Sequence, residues 1–344
     1  MNLRRIAGMA VAGLAVLVLA VAMLAINLRS AQALSQRISF QIVTGSTGGT
    51  YFPVGQLIAG LISHPPGVDR CERAPVCGPS GLIISARTSD GAVANVLGVN
   101  AGLAESGLAQ GDVVSQAVAG KGVFQKTGKL SKLRVIAALF PEDVHLIVAR
   151  NAAIASVGDL KGKRVSLGAD GSGTSVTVRA ILAAYNIPEW RLKARHDAVD
   201  VDAQLLQQGQ IDAFFMVGGT PVALVDDLVA RGVAKLVPID GKGRDRLIKQ
   251  VPGMARDVIP RGTYRGSPDV ETVSVRALWI VNAQVPDTLV YGIVKALFSP
   301  DNRAALNAGH RAAAAIRLDS ATLDLPAPLH PGAARFYRDA GVRR

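Results

Sequence analysis

The chain alternates short apolar runs, which are typical of buried β-strands, with longer segments whose apolar residues recur at helical spacing. After Thr174, for example, Val178, Ile181, Leu182 and Tyr185 follow one another at i, i+3, i+4 and i+7. Strands that alternate with helices in this way predict an α/β fold with doubly wound parallel sheets. At 344 residues the chain is long enough for two lobes, each with its own core.

Three of the predicted strands break into glycine-rich loops that lead into helices. In the first unit, the strand Ile38 to Thr44 leads through the loop Gly45 to Gly49 to a helix start at Thr50. In the second, the strand Arg164 to Leu167 leads through Gly168 to Gly173 to Thr174. In the third, the strand Ile211 to Val217 leads through Gly218 to Gly219 to Thr220. In the third unit Thr220 is predicted as the N-cap and Pro221 as the first helical residue. A helix start carries unpaired N–H groups and a partial positive charge, so three of them predict a ligand with a carboxylate or phosphate group.

Two apolar strands, at 144–149 and 273–281, are predicted to cross between a lobe that is discontinuous in sequence and a lobe inserted into it. We expect residues 37–149 plus 276–344 to form the discontinuous lobe and residues 150–275 to form the inserted lobe. A ligand would then lie in the crevice between the lobes, at the ends of the strands.

The N-terminus has the pattern of an export signal. Arg4 and Arg5 precede an uncharged apolar run at 6–26, and Ala31-Gln32-Ala33 supplies the small residues of a cleavage site. The run has 21 residues, enough to span a bilayer, so retention of residues 1–33 as an inner-membrane anchor is the alternative to cleavage. We expect cleavage after Ala33, and with either outcome the rest of the chain is periplasmic.

The two cysteines, Cys71 and Cys77, have five residues between them and no histidine beside them. This spacing fits neither a zinc site nor a redox pair, and in an oxidising compartment it predicts a local disulfide. The formal net charge is +12, or +9 without residues 1–33, but only 4% of residues are aromatic. Because no basic-aromatic cluster is evident, we interpret the charge as a solvated surface that weakly attracts anions, and we expect no nucleic-acid partner.

The sequence has no convincing catalytic or cofactor motif. A glycine precedes Thr174 where a phosphate-binding loop needs a lysine, and neither glycine loop has the G-x-G-x-x-G spacing of a dinucleotide site. Ser172 does not lie in a G-x-S-x-G elbow, and the five histidines are far apart. We therefore expect a binding protein, not an enzyme, with no cofactor and no metal.

Three polar positions lie in or beside apolar segments. Gln110 ends a short strand that is predicted to be buried, so its amide either satisfies the core or contacts the ligand. His145 lies inside an apolar strand and is interpreted as a hydrogen-bonded core residue. Pro141-Glu142-Asp143, just before it, is predicted to be a solvated turn between two strands.

Several segments, taken in order, resemble the TAXI family, the exported solute receptors of tripartite ATP-independent periplasmic (TRAP) transporters. The resemblance extends from about Phe40 to Tyr337. The segments that carry it are Thr44 to Tyr51, Pro141 to Val148, Asp159 to Ser166, Gly171 to Thr174, Gly209 to Phe215, Gly262 to Tyr264 and Pro328 to Ala333.

The resemblance implies a two-lobed periplasmic-binding-protein fold of type II, with a ligand cleft between the lobes. It also implies a small carboxylate ligand, such as glutamate or a dicarboxylate, that is delivered to a TRAP membrane permease. By motif, one cleft wall consists of Ser46, Thr47, Gly48, Gly49, Thr50 and Tyr51, and the other of Ser172, Gly173 and Thr174. Gln110 matches the glutamine that follows the family's short buried strand. Gly219 and Thr220, from the third glycine unit, complete the predicted site.

This chain departs from the family at two positions where relatives often carry a hydroxyl, with Ala92 after Asp90-Gly91 and Gly111 after Gln110. Two possible donors to the ligand are therefore missing. The alternative function is a ligand sensor of the same fold, held at the membrane by an uncleaved N-terminal helix and signalling to a partner protein.

Overall fold

The fold is described from a computed structural model, which places residues 21, 23, 37–68, 70–71 and 76–342. The predicted signal peptide or anchor at 1–33 lies outside the described residues, apart from Val21 and Met23. Within the described part of the chain, no helix has the length and apolar character that crossing a bilayer requires.

The described residues form ten β-strands and ten α-helices. The strands are β1 (Ile38–Val43), β2 (Leu82–Arg87), β3 (Ser106–Gln110), β4 (Leu133–Ala149), β5 (Arg164–Ser166), β6 (Lys193–Arg195), β7 (Ala213–Gly218), β8 (Ala234–Val237), β9 (Ala255–Ile259) and β10 (Val270–Asn282). The helices are α1 (Tyr51–Ile62), α2 (Ala92–Ala101), α3 (Gly111–Ala119), α4 (Gly173–Ala184), α5 (Val199–Gln207), α6 (Ala223–Ala230), α7 (Gly241–Gln250), α8 (Asp287–Leu297), α9 (Arg303–Gly309) and α10 (Pro331–Asp339).

These strands belong to one mixed sheet in the order β2-β1-β3-β10-β4-β7-β5-β6, with β8 paired to β4 and β9 to β10. The strands in each outer part of the sheet pair in parallel. On one side β1 pairs with β2 and β3, and on the other β5 pairs with β6 and β7. The long strands β4 and β10 lie between them and are antiparallel to each other. The predicted parallel pairing is therefore present in each half, and the antiparallel centre arises because two strands cross between the halves in opposite directions.

Each half has its own apolar interior, which gives the two-lobed α/β architecture expected from the sequence. In the half built on β1–β3, called lobe I below, Phe40 and Trp279 lie in one buried cluster and Phe124 in another. In the half built on β5–β9, called lobe II, Phe215 and Phe214 lie in two further clusters. Helices cover both faces of the sheet in each lobe, so the ligand cleft is left at the strand ends.

The central crossing strand differs from the sequence prediction. β4 is one continuous strand of 17 residues, so the predicted solvated turn at Pro141-Glu142-Asp143 is wrong. The three residues pair with β10, and Glu142 and Asp143 are buried. A proline is tolerated here because pairing of β4 with β7 begins only at Asp143, so no N–H is needed from Pro141 on that side.

The third glycine unit also differs. Helix α6 begins at Ala223 with Val222 as its N-cap, so the N-cap role predicted for Thr220 is wrong. The Thr220 hydroxyl instead donates to the carboxylate of Asp143 on β4. The competing hydrogen bond to a buried carboxylate keeps this residue in the loop before the helix.

The predicted disulfide between Cys71 and Cys77 is confirmed, with the two Cα atoms 5.3 Å apart. It lies in the connection between α1 and β2. The side-chain amide of Asn302 donates to the carbonyl of Val76 over 2.6 Å, so this connection is also held against the C-terminal part of lobe I.

Candidate functional site

A small cavity of about 130 Å³ lies between the two lobes, where the first and second glycine loops face each other. Eight of the twelve predicted ligand-binding residues line it: Ser46, Gly49, Thr50, Tyr51, Gln110, Ser172, Gly173 and Thr174. The other lining residues are Gly45, Ser89, Asp90, Gly91, Ala92, Glu142, Gly168, Ala169, Asp197, Ala198, Val199, Asp202, Phe215, Met216 and Val217. A larger cavity of about 630 Å³ lies beside α8 and α9 and contains none of the predicted residues.

The first wall of the interlobe cavity is the start of α1. Thr50 precedes the helix, and its Oγ1 accepts a hydrogen bond from the Gly219 N–H over 3.1 Å. Tyr51 opens the helix, and its hydroxyl donates to Glu142 Oε2 over 2.7 Å. Within the described residues the Tyr51 N–H has no backbone partner, as expected in the first turn of a helix. This wall therefore presents an N–H donor together with the free hydroxyl hydrogen of Thr50.

The second wall is the start of α4, which begins at Gly173, one residue before the predicted start. Ser172 is the N-cap, and its hydroxyl accepts from Ser175 N–H over 3.1 Å and donates to the Ala169 carbonyl over 2.6 Å. The single hydrogen of the Ser172 hydroxyl is thus used within the loop and is not available to donate to a ligand. Thr174 Oγ1 accepts from Val217 N–H over 3.2 Å, which leaves its own hydrogen free to donate into the cavity.

Gln110 connects the lobes across the floor of the cavity. Its Nε2 donates to Thr177 Oγ1 on α4 over 3.1 Å, and Thr177 donates to the carboxylate of Asp112 on α3 over 2.9 Å. Gln110 is only 3% exposed, and Asp112 is buried beside it. Burial raises the pKa of Asp112 to about 6, although the hydrogen bond from Thr177 opposes that shift.

Four predicted site residues do not line the cavity. Thr47 is exposed, and Gly48 packs so closely on Asp200 of lobe II that a Cβ would overlap the carboxylate. Gly219 and Thr220 lie behind the first wall and serve the contacts with Thr50 and Asp143 described above. The third glycine unit therefore supports the cleft from behind and does not contribute a helix start to it.

Two buried carboxyl groups in the cavity were not predicted from the sequence. Glu142 is 1% exposed, and burial raises its pKa to about 8, with the hydrogen bond from Tyr51 opposing the shift. Asp202 is fully buried, and burial raises its pKa to about 7 against the opposing effect of the nearby Ser166 hydroxyl. Among the described residues, neither of its carboxyl oxygens forms a hydrogen bond of ordinary length. An available signal was the spacing Val199, Asp202, Ala203, Leu206, which places one acid on the inner face of α5.

The lobes also meet through the backbone. Helix α2 has Gly91 as its N-cap and no side-chain cap. Its first N–H groups are instead satisfied from lobe II, since Val93 and Ala94 donate to the Gly171 carbonyl over 3.1 and 3.2 Å. The N-terminus of a lobe I helix is thus capped by the glycine loop of lobe II, and this cap exists only while the lobes are together.

The cavity is acidic for a site that was expected to take an anion. Glu142, Asp202, Asp197 and Asp90 line it, and none of its described lining residues is a lysine or arginine. Positive potential comes from the backbone at the starts of α1 and α4. The site therefore offers donors for an anionic group at one place and carboxyl groups at another.

His145, interpreted from the sequence as a core residue, is fully buried and outside the cavity. Its Nε2 is 2.8 Å from the Tyr264 hydroxyl and its Nδ1 is 3.0 Å from the Asp143 carbonyl. Burial lowers its pKa to about 4, so the ring is neutral near pH 7.

Solved structures with a similar fold include MatC from Rhodopseudomonas palustris with bound malate. It is 14% identical, with a TM-score of 0.53 over 88% of this chain and 97% of that chain. A structure described as a periplasmic transporter is 12% identical, with a TM-score of 0.51 over 88% of this chain and 94% of that chain. The alkanesulfonate-binding protein SsuA from Xanthomonas axonopodis pv. citri, bound to MOPS, is 15% identical, with a TM-score of 0.47 and coverage of 88% and 84%.

The first two of these similarities show that the chain shares the two-lobed α/β fold of these structures. A family model described as the NMT1-like family matches residues 42–341, which include every element from the first glycine loop to α10. The chain therefore belongs to the NMT1-like family.

Proposed function

We propose that this protein is the extracytoplasmic solute receptor of a TRAP transporter, and that it captures a small α-amino acid and delivers it to a membrane permease. One observation carries the proposal. A single interlobe cavity combines two open helix starts, which suit a carboxylate, with the buried carboxyl groups of Glu142 and Asp202, which suit an ammonium group.

The carboxylate of the solute is assigned to the starts of α1 and α4. Tyr51, Gly173 and Thr174 have backbone N–H groups without a backbone partner among the described residues, and the hydroxyls of Thr50 and Thr174 each retain a hydrogen to donate. Together with the helix dipoles, these groups stabilise one negative charge without an arginine. Such charge-assisted hydrogen bonds contribute about 1.5–3 kcal/mol each.

The ammonium group is assigned to the acidic side of the cavity. Asp202 has two buried oxygens without a described partner, and an ammonium donor would satisfy them. Near pH 7 the raised pKa values leave Glu142 largely protonated and Asp202 partly so, and an ammonium group would favour the ionised form of both. A second carboxylate would instead require both acids to keep their protons. We favour an amino acid over a dicarboxylate, the two classes that the sequence left open, because an ammonium group can donate to both unpaired oxygens of Asp202.

We assign the domains as predicted, with residues 37–149 plus 276–344 as the discontinuous lobe and 150–275 as the inserted lobe. The packing supports one refinement, because Val144, Leu146 and Val148 of β4 already lie in a lobe II cluster. We therefore assign the first crossing to a position near residue 143. Capture in the periplasm follows from the predicted export signal and from the disulfide, which needs an oxidising compartment.

A thermal-shift screen of amino acids and dicarboxylates, followed by calorimetry on the hit, tests this function. We expect an amino acid to bind, and Thr174→Val to weaken it roughly ten- to hundredfold by removing one donor to a charged group. Thr127→Val is the matched control, since it removes the same hydroxyl from an exposed loop and should leave affinity unchanged. A melting curve of Thr174→Val is needed as well, because Val217 N–H loses its acceptor.

Two results would contradict the proposal. If folded Thr174→Val and Ser46→Ala both keep the wild-type affinity, the solute does not bind in this cavity. If only dicarboxylates bind, the cavity is retained but the role given to Glu142 and Asp202 is wrong.

A further inference from the structure

Lobe II carries an exposed tryptophan that takes no part in the core or the cleft. Trp190 lies in the one-turn 3₁₀ helix Glu189–Arg191, just before the edge strand β6, and is 75% exposed. The other tryptophan, Trp279, is fully buried in lobe I and donates from Nε1 to Ser106. The exposed ring, with its apolar body and polar N–H, is available for contact with an external partner.

Four cations lie on the backbone segments next to this residue. Two backbone hydrogen bonds, from Gly162 to the Arg191 carbonyl and from Lys193 to the Lys163 carbonyl, bring the turn at 161–163 beside β6. Lys161, Lys163, Arg191 and Lys193 are thereby grouped with Trp190, and the Arg191 guanidinium lies 4.7 Å from its ring centroid. We call these five residues the Trp190 patch.

The described cations of the patch differ from neighbouring arginines in forming no salt bridge, although Lys163 lies near enough to Asp159 and Asp212 to lower the pKa of both. Arg164 pairs with Asp212, Arg195 with Asp197, and Arg179 with Asp170. Among the described residues, none of the four patch cations lies within 4.0 Å of a carboxylate. The patch therefore has positive charge available for an external anionic partner.

We propose that the Trp190 patch docks lobe II onto the surface of an anionic phospholipid bilayer. Tryptophan is enriched at the headgroup level of membranes, and lysine and arginine beside it are attracted by anionic lipids. Three of the four cations are lysines, which are depleted in protein–protein interfaces, so a lipid surface fits the patch better than an acidic protein does.

The patch is connected to the cleft by two polar contacts of His196. His196 Nε2 lies 3.0 Å from Glu189 Oε1, next to Trp190, and His196 Nδ1 lies 3.5 Å from the carboxylate of Asp170, which belongs to the second glycine loop. Docking through the patch would hold this loop, and with it the mouth of the cleft, beside the membrane.

The two tryptophans allow a position-specific test with the full chain. Protein is mixed with phosphatidylcholine vesicles, with and without phosphatidylglycerol, whose acyl chains are brominated near the headgroups. We expect quenching and a blue shift of the Trp190 emission only with phosphatidylglycerol, weakening as ionic strength rises. Trp190→Phe should abolish the quenching, because Trp279 is buried. Since the signal comes from position 190, membrane attachment through residues 1–33 does not produce it.

Charge-reversal variants separate the patch from the overall charge. Lys161→Glu with Lys193→Glu should weaken the vesicle-dependent quenching at least tenfold, whereas Lys126→Glu with Lys129→Glu changes two exposed lysines elsewhere and should leave it unchanged. If both double variants lose the quenching equally, the effect depends on overall charge and the proposal is overturned. Absence of quenching with every vesicle would also overturn it, and would leave the patch to a protein partner. An unchanged Trp279 emission shows that Trp190→Phe is folded, and melting curves show the same for the charge-reversal variants.

Discussion

Gln110 of lobe I and Thr177 of lobe II are hydrogen-bonded across the cleft, with Gln110 Nε2 3.1 Å from Thr177 Oγ1. From the sequence, the Gln110 amide was expected to satisfy the core or to contact the ligand. The structure gives it a third role, because its partner lies on the opposite lobe and is itself bound to Asp112. Because opening of the lobes would break this pair, we expect it to link ligand affinity to closure.

Removing this pair should therefore weaken ligand binding. Gln110→Leu leaves the buried Thr177 hydroxyl without its donor in the closed form, which costs about 1–3 kcal/mol, or roughly five- to hundredfold in affinity. Calorimetry on Gln110→Leu, Thr177→Val and the double variant measures the coupling. We expect the double variant to lose less than the sum of the single losses. Additive losses would mean that the two residues act independently, and an unchanged affinity with a lower melting temperature would return Gln110 to a purely structural role.

Closure should also depend on Gly171, whose backbone carbonyl caps α2 from the other lobe. A Cβ on Gly171 would lie 2.6 Å from the Cβ of Asp90, and neither atom can rotate away. We expect Gly171→Ala to lower affinity more than about tenfold, because steric overlap between the lobes opposes the closed form. Small-angle scattering should show that the variant fails to contract when ligand is added.

Gly98→Ala is the matched control for this change. Gly98 lies within α2, and a Cβ at this position would have no neighbouring atom within 4 Å. The substitution should leave affinity unchanged and stabilise the protein by about 0.5–1 kcal/mol, the usual gain for alanine over glycine in a helix. Wild-type affinity and contraction in Gly171→Ala would show that the lobes do not need this close approach.

The sequence predicted local features of the site better than long-range ones. The first two glycine units were correctly predicted to line the cavity, because their strands, loops and helix starts are determined by residues close together in sequence. The role of Glu142 was missed since Pro141-Glu142-Asp143 has the composition of a turn, and only pairing with β10, far along the chain, makes it strand. Thr220 failed as an N-cap for the same reason, because its partner Asp143 is 77 residues away. Tertiary hydrogen bonds replaced the local preference at both places.

The disulfide should contribute to stability without affecting binding. Its loop is short, so the chain-entropy estimate gives about 2 kcal/mol for the Cys71–Cys77 bridge. The double variant Cys71→Ser with Cys77→Ser should lose about that much unfolding free energy and bind ligand normally, since neither residue lines the interlobe cavity. Denaturant unfolding and calorimetry measure the two quantities. A large loss of affinity in a folded variant would mean that this connection is coupled to the cleft.

The buried carboxyl groups should make the ligand-free protein less stable as the pH rises. Glu142 has a folded pKa of about 8 against an ordinary value of 4.5, and Asp202 about 7 against 3.8, because burial disfavours their charged forms. At a pH between the ordinary and the folded pKa of a group, the folded state keeps a proton that the unfolded state has released. The free energy of unfolding therefore falls as the pH rises from about 4 to about 8. Each group contributes up to about 1.4 kcal/mol per pH unit in its window. Glu142→Gln should flatten the upper part of the profile measured by denaturant unfolding, and an unchanged slope would mean that Glu142 is ionised in the folded state.

Ligand binding should depend on pH in the opposite direction if the solute carries an ammonium group. Only ionised Glu142 and Asp202 attract that group, so affinity should rise from about pH 6 to about pH 8, by up to about tenfold per pH unit for each carboxyl that must ionise. The bound ammonium lowers both pKa values, so protons are released on binding. Calorimetry in buffers of different ionisation enthalpy counts them.

If the solute is a dicarboxylate, we expect the opposite pH dependence of affinity. Its second carboxylate would accept hydrogen bonds from protonated Glu142 and Asp202, so its affinity would fall as the pH rises and protons would be taken up. Glu142→Gln separates the two cases, because a neutral amide cannot attract an ammonium group but can still donate to a carboxylate. For an amino acid we expect this variant to bind weakly at every pH and to lose most of the proton release. Strong binding by Glu142→Gln that persists above pH 8, with proton uptake in the wild type, would identify the solute as a dicarboxylate.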